Sequence, residues 1–575
     1  MAELFLQQAP WDPLALTFNA MREGGTGREL PFRLLVLGDF GDRETPLDAR
    51  DPIAIHPGNF EEVLRSRRIR LQLLLEDCLG GTEAETELFE VPVDGVAGFS
   101  PRGLLDRVDQ LRRARGVLEA LAGDEAPGGQ EEDDRTVALH EEVLRAGGGD
   151  RRLARAELAR RMGRQLDRIL HHEEFRALEA NWLGLHFLLS HLDPDSNCQV
   201  EVLDMDREAL FEDFRGQSDL TGSVLFDRMY VREFGQYGGV PFGALVTTFS
   251  FSAGKEDTPL LRNLAQVGAA CQCPVIAQAG PGLFGAEDAG KVAEIADLAE
   301  AHAGAVNRGW RTLAASPEAR FVGLVFPEIV LRGRFDYRRE AIPGLTYREG
   351  QETGELGLLT GSAAFAFGAN LLESFERYRL CSDITGDPGG TVTGLAPGMD
   401  LDWPDYGLAT PVQLSETRER DLSDLGFIPL SADREVPGQA VVHAAPSLAW
   451  GGRRRTANPG EEGLDEQILA QLPYLFLACR VGHFLKVIQR DNLGTLKSPV
   501  EVQGELNSWL SGYVSEVENP SAGVRARRPF REARVEVTSG AGADGRFDMT
   551  LRLVPHLKYL DSRFALTLHS ELGPT

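Results

Sequence analysis

The sequence predicts an α/β protein, α+β in parts: a small α/β unit packed on a larger mixed α/β body, with antiparallel strands closing the chain. Three observations carry this. Apolar runs of strand length are interspersed with segments of helical period through most of the 575 residues. A polar, glycine-rich break at 123–150 divides them unequally. Apolar–polar alternation recurs in successive strands after residue 531.

In order, residues 1–30 read as an irregular N-terminal segment, and 31–122 as the small unit. There, 32–37 (FRLLVL) is a strand ending in a Gly-Asp turn, 53–55 a second short strand, and 69–75 an alternating strand. Asn59, followed by Phe60-Glu61-Glu62, predicts a capped helix start. Ser100-Pro101 predicts another, whose apolar face is Leu104, Leu105, Val108, Leu111, Leu118 and Leu121. Residues 123–150 read as an acidic, glycine-rich linker, partly disordered, with a short helical piece at 137–144.

The body, 151–530, opens on the stretch 166–189. Its anchors Phe175, Leu178, Trp182 and Leu185 recur every three or four residues, one buried face of a helix. Strands follow at 199–204, 242–251, 274–279 and 321–326, with helices at 260–270, 286–303, 362–378 and 466–489. The C-terminal β segment, 531–575, predicts a hairpin plus one strand at 533–537, 547–554 and 564–569.

Composition narrows the function. The chain is too long for one core, and 42% hydrophobic with 26% charged residues suits a soluble globular protein. A net charge of −28 argues against nucleic acid as the main partner. No run of apolar residues is long enough for a membrane span, and the opening residues, without a basic region or a clean apolar run, lead to the expectation of no secretory leader. Six scattered cysteines fit a reducing cytoplasm.

Motifs for catalysis are weak. Gly280-Pro281-Gly282-Leu283-Phe284-Gly285 fits a dinucleotide loop, but Pro281 removes an amide that should cradle phosphate. Asp193 to Asp204 begins like a calcium loop without its glycine or final glutamate. His171-His172-Glu173-Glu174 reads as a polar helix junction, and Cys271 and Cys273 lack a second pair for zinc. No catalytic residue, metal site or cofactor is expected. An exposed C-terminal strand, by contrast, is a template for another chain.

Several runs resemble a known family. ILHHEEFRALEANWLGLHFLL (169–189), LFDRMYVREFGQYGGVPFGALV (225–246), DLSDLGFIPL (421–430), LPYLFLACRVGHFLKV (472–487), LNSWLSGYV (506–514) and RPFREARVEV (528–537) resemble the large sheath subunit of type VI secretion systems, TssC or VipB. PFRLLVLGDFGDR (31–43), PIAIHPGNFEEVL (52–64) and the segment 99–121 resemble the small subunit, TssB or VipA. The resemblance implies a fusion of the two. It implies a structural protein, not an enzyme, polymerising around an Hcp-type inner tube on a baseplate. A ClpV-type AAA+ ATPase would be a further partner. The alternative is a sheath or baseplate adaptor that does not polymerise. The family's strand exchange, carried onto this chain, falls on Arg534, Val535, Glu536, Val537, Met549, Leu551 and Leu553, with a further strand near the linker.

Overall fold

The computed structural model describes residues 30–80, 86–123, 134–217, 219–236, 238–351, 357–396, 408–452, 468–492, 498–539, 547–556 and 566–571. The segment 1–29 and the acidic stretch 124–133 lie outside the described residues. The strands in chain order are β1 (Phe32–Gly38), β2 (Ile53–Ile55), β3 (Ile69–Glu76), β4 (Thr86–Val93), β5 (Cys198–Asp204), β6 (Phe242–Phe251), β7 (Val275–Ala279) and β8 (Val322–Phe326). They continue with β9 (Ile329–Arg332), β10 (Leu359–Gly361), β11 (Thr391–Val392), β12 (Ile428–Ala432), β13 (Ala440–Val442), β14 (Phe530–Ser539), β15 (Phe547–Pro555) and β16 (Leu566–Glu571).

Nine strands make one sheet in the order β11-β13-β12-β8-β7-β6-β1-β5-β2. Its six central strands are parallel, and the edge strands β2, β13 and β11 run antiparallel to their neighbours. The small unit therefore gives the large body a middle strand: β1 lies between β5 and β6. Being buried on both faces, it reads as an unbroken apolar run. Leu34 and Val36 enter one core, Leu35 and Leu37 the other.

In chain order the strands β5-β1-β6-β7-β8 follow a 2-1-3-4-5 doubly wound pattern, whose ligand crevice would open at the carboxyl ends of β1 and β6. Side chains fill that place. Asp204 accepts from the N–H groups of Phe40 (3.0 Å) and Asp42 (2.9 Å) in the turn after β1. Gly38 lies so close to Thr248 that a Cβ would come within 2.3 Å of its Oγ1.

The principal helices are α1 (Phe60–Ser66), α2 (Pro101–Arg107), α3 (Asp109–Ala120), α4 (Asp134–Ala146), α5 (Arg151–Leu170), α6 (Glu173–Ser190), α7 (Arg207–Arg215), α8 (Asp257–Cys271), α9 (Ala364–Tyr378), α10 (Leu472–Asn492) and α11 (Pro499–Ser511). α6 and α9 cover one face of the sheet, α7 and α8 the other.

Four expectations are corrected. The stretch 166–189 is two helices, because His172 is extended (φ −67°, ψ 134°) between α5 and α6. Residues 286–303 break at Ile295 into Ala289–Glu294 and Leu298–His302, each begun by an aspartate cap, Asp288 and Asp297. Ser100 does cap α2, accepting from Gly103 N–H at 3.1 Å, but the helix stops at an extended Val108 and restarts as α3. Asn59 precedes α1 without capping it. Its side chain accepts from His56 N–H (2.8 Å) and donates to Ala54 C=O (3.1 Å), a local turn that competes with the cap.

The described part of 123–150 is a helix and a turn. Val143 of α4 is fully buried, Asp150 caps α5, and Arg151 donates to Gly123 C=O at 2.7 Å. Gly148 and Gly149 take left-handed conformations (φ 64° and 85°), which turn the chain from α4 into α5. No strand is found among the described residues near this joint. Among the described residues no helix is long and apolar enough to cross a membrane.

Candidate functional site

The C-terminal sheet begins from α11. Ser498 and Glu501 form a capping box with Pro499 in the first turn, fixing where the helix starts. Val502, Leu506, Trp509 and Leu510 bury one face, and Trp509 meets Phe484 of α10 at 4.8 Å. The same helix holds β14. Asn507 donates to Val535 C=O and accepts from Val535 N–H, both at 2.8 Å, while Gln503 accepts from Val537 N–H at 2.9 Å.

β14, β15 and β16 form an antiparallel sheet in that order. Val535 pairs with Leu551 and Ala533 with Leu553. Val535, Val537, Leu551 and Leu553 are buried and hold the sheet to its own body, whereas Arg534 and Glu536 are exposed and lie 3.6 Å apart. The side chain of Met549 lies outside the described residues; its backbone pairs with Val537 and Ser570. β14 is thus flanked by β15 and α11, and β15 by two strands. Strand addition in trans would meet β16. Sequence reasoning missed Gln503 and Asn507; the signal was two amides four residues apart beside the apolar positions of a helix that leads into a strand.

The second region is the elbow between α5 and α6. Phe175, Leu178, Trp182 and Leu185 are all buried. Trp182 meets Phe40 (5.2 Å) and Phe60 (5.6 Å) edge-on, and Phe175 meets Phe99 (5.7 Å). This helix therefore grips the small unit through aromatic contacts. Trp182→Ala should cost about 3–5 kcal/mol, read as a fall in the urea midpoint, with Trp182→Phe losing much less.

A buried ionic network fixes the elbow. Arg332 spans Glu179 (2.5 and 3.0 Å) and Glu349 (2.8 Å), and His171 lies 3.1 Å from Glu349. Tyr347 and the N–H of Gly350 donate to Asp167 (2.7 and 3.1 Å). Burial pushes the Glu179 carboxyl up, against the pull of Arg332. Burial also acts to raise Glu349, but His171, Arg332 and the Phe335 N–H outweigh it and hold that carboxyl below its usual range. His171 is a structural partner here.

The other motifs are absorbed by the fold. Pro281–Phe284 is a tight turn whose Phe284 packs on Phe427 (5.1 Å) and whose Leu283 C=O accepts from Asn307 (2.8 Å). Asp193 closes a turn with Asp195 and Ser196 before β5. Cys271 and Cys273 are buried free thiols, that of Cys271 pushed up to about 12 by burial. No group of residues able to hold a metal ion occurs among the described residues.

Comparison with known families decides what these regions belong to. Residues 153–449 match the EvpB/VC_A0108 tail sheath N-terminal domain, just over half of the chain. The chain belongs to the type VI secretion tail sheath family. Residues 461–572 match that family's gpW/gp25-like domain, and 7–131 match the type VI secretion system family described as VipA, VC_A0107 or Hcp2. Both sheath subunits are therefore represented in one chain. The type VI secretion system sheath protein TssC1 of Pseudomonas aeruginosa is 29% identical over 430 residues, covering 72% of this chain and 84% of that protein. The sheath tail protein of Desulfitobacterium hafniense is similar over 58% of this chain and 56% of its own, at 10% identity and a TM-score of 0.28. The sheath family is structural, not enzymatic.

Proposed function

We propose that this chain is a sheath protomer carrying both subunits in one polypeptide. It polymerises in the bacterial cytoplasm into a helical tube around an Hcp-type inner tube, seated on a baseplate, and contracts to propel that tube. The division that serves this role is a small unit at 31–122, a joint at 123–150, a body at 151–530 and a β segment from 531. What supports the reading most directly is the C-terminal sheet, whose last strand, β16, has no neighbour on its outer edge among the described residues. Strand addition there would link copies by main-chain hydrogen bonds without closing a ring. Contraction then needs rigid bodies shifting about such links, with no chemistry. A ClpV-type ATPase would meet α4 folded against α3 and α5, with Val143 buried.

Electron microscopy of the purified protein with inner-tube protein should show hollow helical tubes. Removing 566–575 should abolish them while leaving the monomer folded. A monodisperse monomer under all conditions overturns the reading. Partner binding retained without any polymer would instead identify an adaptor.

A further inference from the structure

We propose that Gln503 and Asn507 close one edge of the C-terminal sheet, so that a strand from a second copy of this chain adds only at β16. The partner rests on the sheath reading above; the closed edge rests on geometry alone.

A sheet has two edges, and an unpaired one invites any strand. At β14 the outward main-chain groups of Phe530 and Val535 and the N–H of Val537 are already engaged. The amide of Asn507 both donates to and accepts from Val535, as an opposing residue of an antiparallel strand would. Gln503, one helical turn earlier, takes the Val537 N–H. Further along, Phe530 N–H donates to Tyr513 C=O (3.2 Å), and Ser515 N–H donates to Phe530 C=O (2.9 Å). Side-chain amides and a short stretch of backbone together stand where a fourth strand would lie.

The register identifies the open edge. Because Val535 turns its N–H and C=O away from β15, its partner Leu551 turns its own groups toward β16. Leu551 faces Leu568, so Leu568 bonds back and the main-chain groups of Thr567, His569 and Glu571 point outward. Among the described residues no strand pairs with them.

The asymmetry has a purpose. Two copies with open β14 edges could pair edge to edge about a two-fold axis, a closed dimer that cannot grow. Closing β14 removes that product and confines strand addition to the β16 edge.

The test uses the full chain with Glu536→Cys as a reporter, since Glu536 is exposed on β14 and two β14 edges paired antiparallel about position 536 would bring the thiols together. Mild oxidation of this chain should give little disulfide-linked dimer, measured against the chain without the reporter. Adding Gln503→Leu and Asn507→Leu should raise the dimer several-fold, with melting still cooperative. Gln503→Leu alone, which removes a single bond, should give a smaller rise if the double variant does not fold. Equal cross-linking with and without the amides overturns the closed edge. Absence of tubes from the parent chain, with the cross-linking contrast intact, overturns the sheath reading and leaves the closed edge standing.

Discussion

Replacing Arg332 by alanine should lower stability by about 3–5 kcal/mol, seen as a lower urea midpoint and an earlier melt. The size follows from what is left behind. Glu179 and Glu349 are almost wholly buried, and Arg332 is the cation that both carboxylates contact directly. Without it two carboxylates face each other out of water. Arg332→Lys keeps a positive charge but loses the planar fork that binds Glu179 through two nitrogens while reaching Glu349. It should recover only part of the loss. A substitution at the exposed Arg534, which pairs with exposed Glu536, should change stability by under about 0.5 kcal/mol. If Arg332→Ala melts like the parent, the network does not hold the elbow.

Cutting the joint should have the second large effect, on concentration dependence rather than on the folded structure. A protease site inserted at 148–150 lies in an exposed turn at the two left-handed glycines. The two pieces should remain together, because β1 sits between β5 and β6 and because Arg33 pairs with Glu201 and Glu233, each at 2.7 Å. Arg480 also donates to Pro31 C=O at 3.0 Å. The uncut chain should melt at one temperature at every concentration. The cut form should melt lower on dilution, since the tether supplies an effective concentration on the order of millimolar. Made separately, residues 1–150 and 151–575 should aggregate, and co-expression should restore a soluble complex. Independent folding of 151–575 would contradict the mid-sheet position of β1.

The strands of the central sheet were legible because buried parallel strands are continuous apolar runs; 242–251 matches β6 to the residue. The C-terminal alternation marked β14 and β15 for the complementary reason, one wet face and one dry. The break at His171-His172 showed in the sequence as a polar junction but not in the periodicity, since apolar residues sit on the buried side of both α5 and α6. What arrests the helix there includes a long-range partner, Glu349, 178 residues away. Strand order could not be read either: nothing local in FRLLVLG says that its neighbours are β5 and β6. For the C-terminal sheet, alternation pointed to 533–537 and 547–554. Which edge is engaged depends on Asn507 and Gln503, whose role appears only when α11 is seen beside β14.

The placement of β1 also sets a timetable. At about 5–20 residues per second, roughly 10–40 s pass between the emergence of β1 from a ribosome and that of β6. Until β5 and then β6 have emerged, an apolar strand destined for the middle of the sheet lacks one or both of its neighbours. Nascent chains stalled before residue 251 should therefore be prime clients of chaperones, and fusing the two halves makes the eventual strand insertion an event within one molecule rather than a search between two.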